Sequence, residues 1–109
     1  MRVLKFIVTG KTLEQDPSCD FSGLFPERED RIKAVFSFSK EWDRAIKVAA
    51  FVSVMGTEYT PQVLDDENSC FIPKEALNKP AFKIQILGRT AKTNLNTNSL
   101  TIYQRGGTR

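Results

Sequence analysis

Hydrophobic and polar residues alternate with a period of two in several short stretches of this chain. In residues 31–39, the apolar side is formed by four residues, Ile32, Ala34, Phe36 and Phe38. Successive side chains of a strand point to opposite faces, so this pattern predicts a strand with one buried face. Comparable patterns predict strands over residues 2–9, 51–55, 59–64, 69–72, 82–88 and 100–103. Pro61 restricts the third of these to a sheet edge or a bulge.

The connections are rich in turn-forming residues. Residues 10–30 carry Asp, Ser, Pro and Gly and predict a long connection. Three apolar residues within it are predicted to fold back over the core: Phe21, Leu24 and Phe25. Pro73 stands at a favourable first helical position, so residues 73–77 predict a single helical turn.

Residues 40–50 fit two patterns. Trp42, Ala45, Ile46 and Ala49 have helical spacing with Ser39 as a possible N-cap, and a helix here would make the chain α+β. A strand would give about seven strands in about 100 residues, the size of an immunoglobulin-like sandwich. Residues 48–54 are β-branched and aromatic, which favours strand in the second half. We therefore predict an all-β, immunoglobulin-like antiparallel sandwich with one helical turn near Pro73–Leu77.

Composition limits the chemistry available to the chain. Its 109 residues predict one domain, 1–109, and 40% apolar residues suffice for one core. The largest aromatic and aliphatic side chains of the strand patterns are predicted core: Trp42, Phe36, Phe38, Phe51, Phe82 and Ile84. There is no histidine, which removes His-based triads and His-bearing zinc sites. We predict no enzymatic activity, no metal and no cofactor, and no apolar run approaches the length of a membrane helix.

The net charge of +3 conceals an asymmetry. Residues 1–75 hold 10 Lys+Arg against all 13 Asp+Glu, whereas residues 76–109 hold six basic residues and no acid. This division predicts an electrostatic contact within the molecule or between copies. Nucleic-acid binding is not favoured, because the basic third offers only Phe82 and Tyr103 as aromatics and Phe82 is predicted to be buried.

Two acidic groups and two cysteines are the remaining candidates for chemistry. Residues 65–68 lack the spacing of a calcium loop and predict a solvated turn. The pair Glu41 and Asp43 has the residue type of a glycosidase site but no sign of a cleft. Cys70 lies in an apolar run and is predicted to be a core thiol, and both it and Cys19 are predicted to be free.

The polar tip at residues 93–98 is predicted to be a hairpin loop, and residues 105–109 a flexible basic tail. Amide, hydroxyl and basic groups there could bind a sugar or a neighbouring subunit. The predicted interface residues are Arg89, Lys92, Asn94, Asn96, Asn98, Tyr103, Arg105 and Arg109.

Four motifs follow one another in an order that carries a resemblance. Residues 35–43 read VFSFSKEWD, 64–77 read LDDENSCFIPKEAL, 82–88 read FKIQILG and 97–102 read TNSLTI. This order resembles a β-sandwich module of bacteriophage virion proteins, as in tail, baseplate and fibre proteins of phages of Gram-positive hosts. The likeness covers residues 31–104. Arg44 stands where the module would have Gly, so the turn after Trp42 is expected to differ.

The resemblance implies a structural virion protein, made in the host bacterial cytoplasm, in the tail, baseplate or fibre or on the capsid as a decoration. Its implied partners are other virion proteins in a homo-oligomer or symmetric assembly, with no membrane. Two alternatives stay open: a carbohydrate-binding or host-adhesion module using Tyr59 and Tyr103, and a small phage effector that blocks a host protein.

Overall fold

A computed structural model describes residues 2–20, 32–77 and 81–103 of the chain. Nine strands form in these ranges: β1 (Arg2–Thr9), β2 (Thr12–Gln15), β3 (Ile32–Phe38), β4 (Ile46–Ser53), β5 (Gln62–Val63), β6 (Ser69–Phe71), β7 (Ala81–Arg89), β8 (Asn94–Asn96) and β9 (Leu100–Tyr103). A 3-10 turn spans Lys40–Trp42, and a helical turn, α1, spans Lys74–Leu77. The predicted helical turn is therefore confirmed.

The strands form two sheets, which we name sheet A and sheet B. Sheet A has the order β2-β1-β3-β6. Sheet B has the order β5-β4-β7, with β8 and β9 both pairing to the far edge of β7. The order β5-β4-β7-β9 corresponds to the C′-C-F-G order of an immunoglobulin-like sheet. The predicted all-β sandwich is confirmed.

The first sheet departs from a purely antiparallel arrangement. β1 and β3 pair in parallel, with Leu4 opposite Ala34 and Phe6 opposite Phe36. Parallel neighbours need a crossover of a dozen or more residues, which the long stretch between these strands supplies. Residues 10–30 are not wholly a connection as predicted, because β2 lies within them. Gly10 turns the chain at a φ of 60°, and β2 pairs back onto β1 with Leu13 buried.

Three other predictions need correction. The ambiguous residues 40–50 form neither one helix nor one strand, since the 3-10 turn ends at Trp42 and β4 begins at Ile46. Of the strand predicted over 59–64, only the two residues directly after Pro61 form a strand, because the proline nitrogen has no hydrogen to donate to a β-ladder. The predicted loop at 93–98 contains β8.

One cluster of buried side chains joins the inner faces of the two sheets. Five predicted core residues are buried in it: Trp42, Phe36, Phe51, Phe82 and Ile84. Phe38 is half-buried at the rim of the cluster, with the Lys47 ammonium 5.2 Å from its ring centroid. Phe21, Leu24, Phe25 and the tail 105–109 lie outside the described residues.

Trp42 anchors the turn between β3 and β4. Its indole is fully buried, and its Nε1–H donates to the Gly10 carbonyl at 2.7 Å. The ring stands 5.2 Å from the Phe38 ring and lies against Gly88 on β7. The 3-10 turn therefore ties both sheets together at one end of the sandwich.

Candidate functional site

The side chains of sheet B that point away from the core form a surface that we name the outer face. Residues opposite one another on neighbouring strands form rows on this face, and each row runs from the β5 edge of the sheet toward the β8 and β9 edge. The first row is Ile46, Arg89 and Asn94, and the second is Val63, Val48, Leu87 and Asn96. The third is Ala50 and Gln85, and the fourth is Val52, Lys83 and Thr101.

The centre of the outer face is aliphatic. Ile46 is 66% exposed and Val63 is 68% exposed, while Val48 and Leu87, which continue the second row from Val63, are half-buried. Single exposed apolar residues are ordinary on a protein surface, but adjoining ones on a sheet face indicate a contact surface. The outer face therefore has the apolar centre that a protein interface requires.

Opposite charges flank this centre. Arg89 is in the first row and Lys83 in the fourth, both toward the β8 and β9 edge, and Lys92 lies in the turn between β7 and β8. At the β5 edge, an open cleft of about 400 Å³ is lined by Ile46, Val63, Asp65 and Asp66, and also by Lys47, whose ammonium donates to the Ala45 carbonyl. Glu58 also lies on that edge, bridged to Val52 in the fourth row. We name these the basic edge and the acidic edge.

Asp65 has a structural role within the acidic edge. Its Oδ1 accepts hydrogen bonds from the backbone N–H groups of Glu67 and Ser69, at 2.9 and 3.0 Å, and from the Ser69 hydroxyl at 2.9 Å. The Ser69 hydroxyl bond is the main reason that the pKa of this carboxyl is lowered. Asn68 completes the tight turn at a φ of 59°. Asp65 thus holds the predicted turn, which leaves Asp66 and Glu67 exposed at the edge.

The structure brings together half of the predicted interface residues. Arg89, Asn94 and Asn96 share the outer face, and Tyr103 extends it beside Ala81 at 63% exposure. Lys92 lies at the tip that borders the first row. Arg105 and Arg109 lie outside the described residues.

Asn98 makes contacts within the molecule. Its Oδ1 accepts from the Leu13 N–H at 2.8 Å, and its Nδ2 donates to the Leu13 carbonyl at 3.2 Å. The Asn98 amide thus pairs with both backbone polar groups of Leu13, as a neighbouring strand would, and it links sheet B to the β2 edge of sheet A. A second substitution of this kind occurs one residue earlier, where Thr97 Oγ1 accepts the N–H of Ile86. The Thr97 bond lies on β7 between the part that pairs with β8 and the part that pairs with β9.

Sequence reasoning missed the aliphatic half of the outer face: Ile46, Val48, Val63 and Leu87. Residues 46–52 are apolar at every position except Lys47, and a strand that is covered on both faces has the same pattern, so the exposed side could not be identified from the sequence. The polar residues of the outer face, Arg89, Asn94 and Asn96, were predicted correctly because polar residues near a turn are exposed in any arrangement of the strands.

The remaining candidate groups offer little chemistry. Cys70 is buried, and desolvation raises the pKa of its thiol to about 12. Cys19 is half-buried and accepts the Lys5 N–H through sulfur at 3.4 Å, and both thiols are free. Glu41 and Asp43 flank Trp42 at the 3-10 turn. Within the described ranges no group of three or more metal-ligating side chains occurs.

No described helix has the length and apolar character needed to cross a membrane. No family model, curated protein or solved structure matches the chain.

Proposed function

We propose that the chain is a non-catalytic structural protein of a bacteriophage virion and that it acts through protein–protein contacts of its outer face. The observation that carries the proposal is the exposed aliphatic centre of sheet B between two edges of opposite charge. The ordered motifs that resemble virion modules supply the setting, as a tail, baseplate or fibre component or a capsid decoration.

The chemistry of the outer face supports contact with protein. Interfaces are enriched in Arg and Tyr and place aliphatic side chains at their centre with polar groups around the rim. Arg89 and Tyr103 stand at the rim here, and Val48 and Leu87 occupy the centre. No stacking platform for bases accompanies the basic edge, because Tyr103 is the only large aromatic residue exposed within the described ranges.

The glycan-binding alternative has weaker support. It relies on Tyr59 and Tyr103 as exposed rings, but Tyr59 is half-buried and its hydroxyl oxygen is enclosed. One exposed ring makes a small platform for a sugar. No observation favours the effector alternative over the virion proposal.

The test is mass spectrometry of purified particles of the phage whose genome encodes the chain. We expect the wild-type protein in particles at a fixed copy number, and its absence from them would overturn the proposal. A double variant, Ile46→Lys with Val63→Lys, is expected to fold and to be lost from the particle. The control is Val3→Lys, because Val3 is 37% exposed on the outward side of β1 in sheet A. Equal incorporation of both variants would show that the outer face is not the contact.

A further inference from the structure

The two edges of the outer face complement each other, and from this we infer that the occupant of the face is a second copy of the same chain. The inference rests on the proposed function, in that it takes the outer face to be a protein contact. It specifies an isologous dimer whose two-fold axis lies between β4 and β7 and runs parallel to those strands.

The direction of the axis follows from the rows. A two-fold axis parallel to the strands keeps each row opposite itself and exchanges the acidic edge with the basic edge. In the first row, Arg89 of one copy then lies over Ile46 of the other, which lines the cleft together with Asp66. In the fourth row, Lys83 lies over Val52, which is bridged to Glu58. Each basic side chain of β7 is therefore next to an acidic residue of the other copy, and each such contact occurs twice in the dimer.

The aliphatic rows agree with the same operation. Val48 and Leu87 are neighbours on adjacent strands, and the exchange places each over the other in the second copy. Val63 meets Asn96, so the apolar centre is enclosed by polar groups. A self-complementary centre of this kind is what a two-fold interface requires.

The other face-to-face two-fold, perpendicular to the strands, fails on charge. It would keep the acidic edge opposite the acidic edge and bring Asp66 toward Glu58. It would also bring Arg89 toward Lys83 on the basic side. Like charges brought together at an interface oppose binding, so the charge pattern selects the parallel axis.

The free charges strengthen this reading. Within residues 2–20, 32–77 and 81–103, no salt bridge engages Arg89, Lys83, Lys92, Asp66 or Glu67, so their pairing is open to another chain. The face measures about 26 Å along β7 and about 19 Å across four strands. That size belongs to a small interface, so we expect a weak dimer with a dissociation constant on the order of 100 µM.

A charge-exchange experiment tests the inference on the full-length chain. Sedimentation velocity is expected to show wild-type protein as a dimer at high concentration. Asp66→Lys and Arg89→Glu are each expected to weaken self-association by at least about tenfold, because each variant places two like-charged pairs across the axis. The control is Glu14→Lys, an exposed charge reversal on β2 of sheet A, which is expected to leave association unchanged.

Mixing the two variants gives the decisive measurement. A heterodimer of Asp66→Lys with Arg89→Glu contains one original pair and one reversed pair, so association is expected to return to near the wild-type level. Circular dichroism of each variant checks that its fold is intact. Monomeric wild-type protein at several hundred micromolar would overturn the inference, and so would a mixture that stays monomeric.

The results separate this inference from the proposed function. A monomer that is nevertheless present in particles and is lost from them in the Ile46→Lys, Val63→Lys variant would mean that the face binds a different virion protein. A dimer that is absent from particles would retain the two-fold contact and remove the virion proposal.

Discussion

A methyl group at Gly88 would collide with the indole of Trp42. The ideal Cβ position at Gly88 lies 2.4 Å from Cζ3 of that ring, 2.8 Å from Cε3 and 3.3 Å from Cη2. Carbon atoms in proteins pack at about 3.5–4.0 Å, so the ring or the strand must move by about 1 Å to admit alanine. The Gly88→Ala substitution therefore tests how rigidly Trp42 is held.

The cost follows from what fixes the ring. Trp42 is fully buried, donates to the Gly10 carbonyl and packs on Phe38, so a displacement disturbs all three. Overpacking of a core costs about 1–3 kcal/mol, and weakening the indole hydrogen bond adds about 1 kcal/mol. The lower unfolded-chain entropy of alanine returns up to about 1 kcal/mol. We expect Gly88→Ala to lower the free energy of unfolding by about 1–4 kcal/mol.

Urea denaturation followed by the fluorescence of Trp42, the only tryptophan, measures this loss. A double-mutant cycle with Trp42→Leu, followed by circular dichroism, isolates the collision. Without the indole, the added methyl group should cost less than about 0.5 kcal/mol, because it enters vacated space. The collision argument is refuted if Gly88→Ala costs the same in both backgrounds or costs nothing in the wild type.

Four further experiments test other parts of the structure. Asn98→Ala should lower the free energy of unfolding by about 1–3 kcal/mol, because two hydrogen bonds to Leu13 are lost, while Asn96→Ala, at an exposed β8 position, should change it little. Equal effects of the two substitutions in urea denaturation would contradict a stabilising contact between Asn98 and Leu13. The lowered pKa of Asp65 contributes stability above pH 3.8 that is lost as the pH falls through the folded-state pKa. Asp65→Asn should therefore reduce the loss of stability at acid pH, and an unchanged dependence of stability on pH would count against this role of Asp65. Burial raises the pKa of the Cys70 thiol from 9.0 to about 12, so the protonated thiol stabilises the folded state below pH 9, and this contribution is lost between pH 9 and 12 as the thiol of the unfolded chain ionises first. Cys70→Ala should remove this part of the fall in stability with pH, and an unchanged fall would refute the argument. At pH 8, a thiol reagent should label Cys19 in the folded protein and Cys70 only after unfolding.

Alternation of hydrophobic residues was sufficient to predict β1, β3, β7 and β9, but not the first half of β4. β1 has the predicted bounds, and β3 and β9 lie within the predicted stretches, because each is long enough or regular enough for period two to be visible. β2 and β8 were missed, since each has three or four residues and most are polar. Their pairing depends on partners elsewhere in the chain, which local composition does not reveal.

The candidate site was predictable in its polar half. Arg89, Asn94, Asn96 and Tyr103 belong to one surface because strand register brings them together, as the charge asymmetry suggested for the basic part. Asn98 was assigned to the same surface because it belongs to the same polar stretch. Its amide instead pairs with Leu13, 85 residues away, and no local pattern encodes a contact of that separation.

β7 connects the core and the proposed interface within three consecutive residues. Gly88 points inward beneath the Trp42 ring, whereas Leu87 and Arg89 on either side point outward at the centre and basic edge of the outer face. A strand displaced by a methyl group at Gly88 must carry both outward side chains with it. Because rows one and two supply the charged and aliphatic contacts proposed for the two-fold axis, the packing of Trp42 against Gly88 also sets the position of the interface. Gly88→Ala is therefore expected to weaken self-association even under conditions in which the variant remains folded.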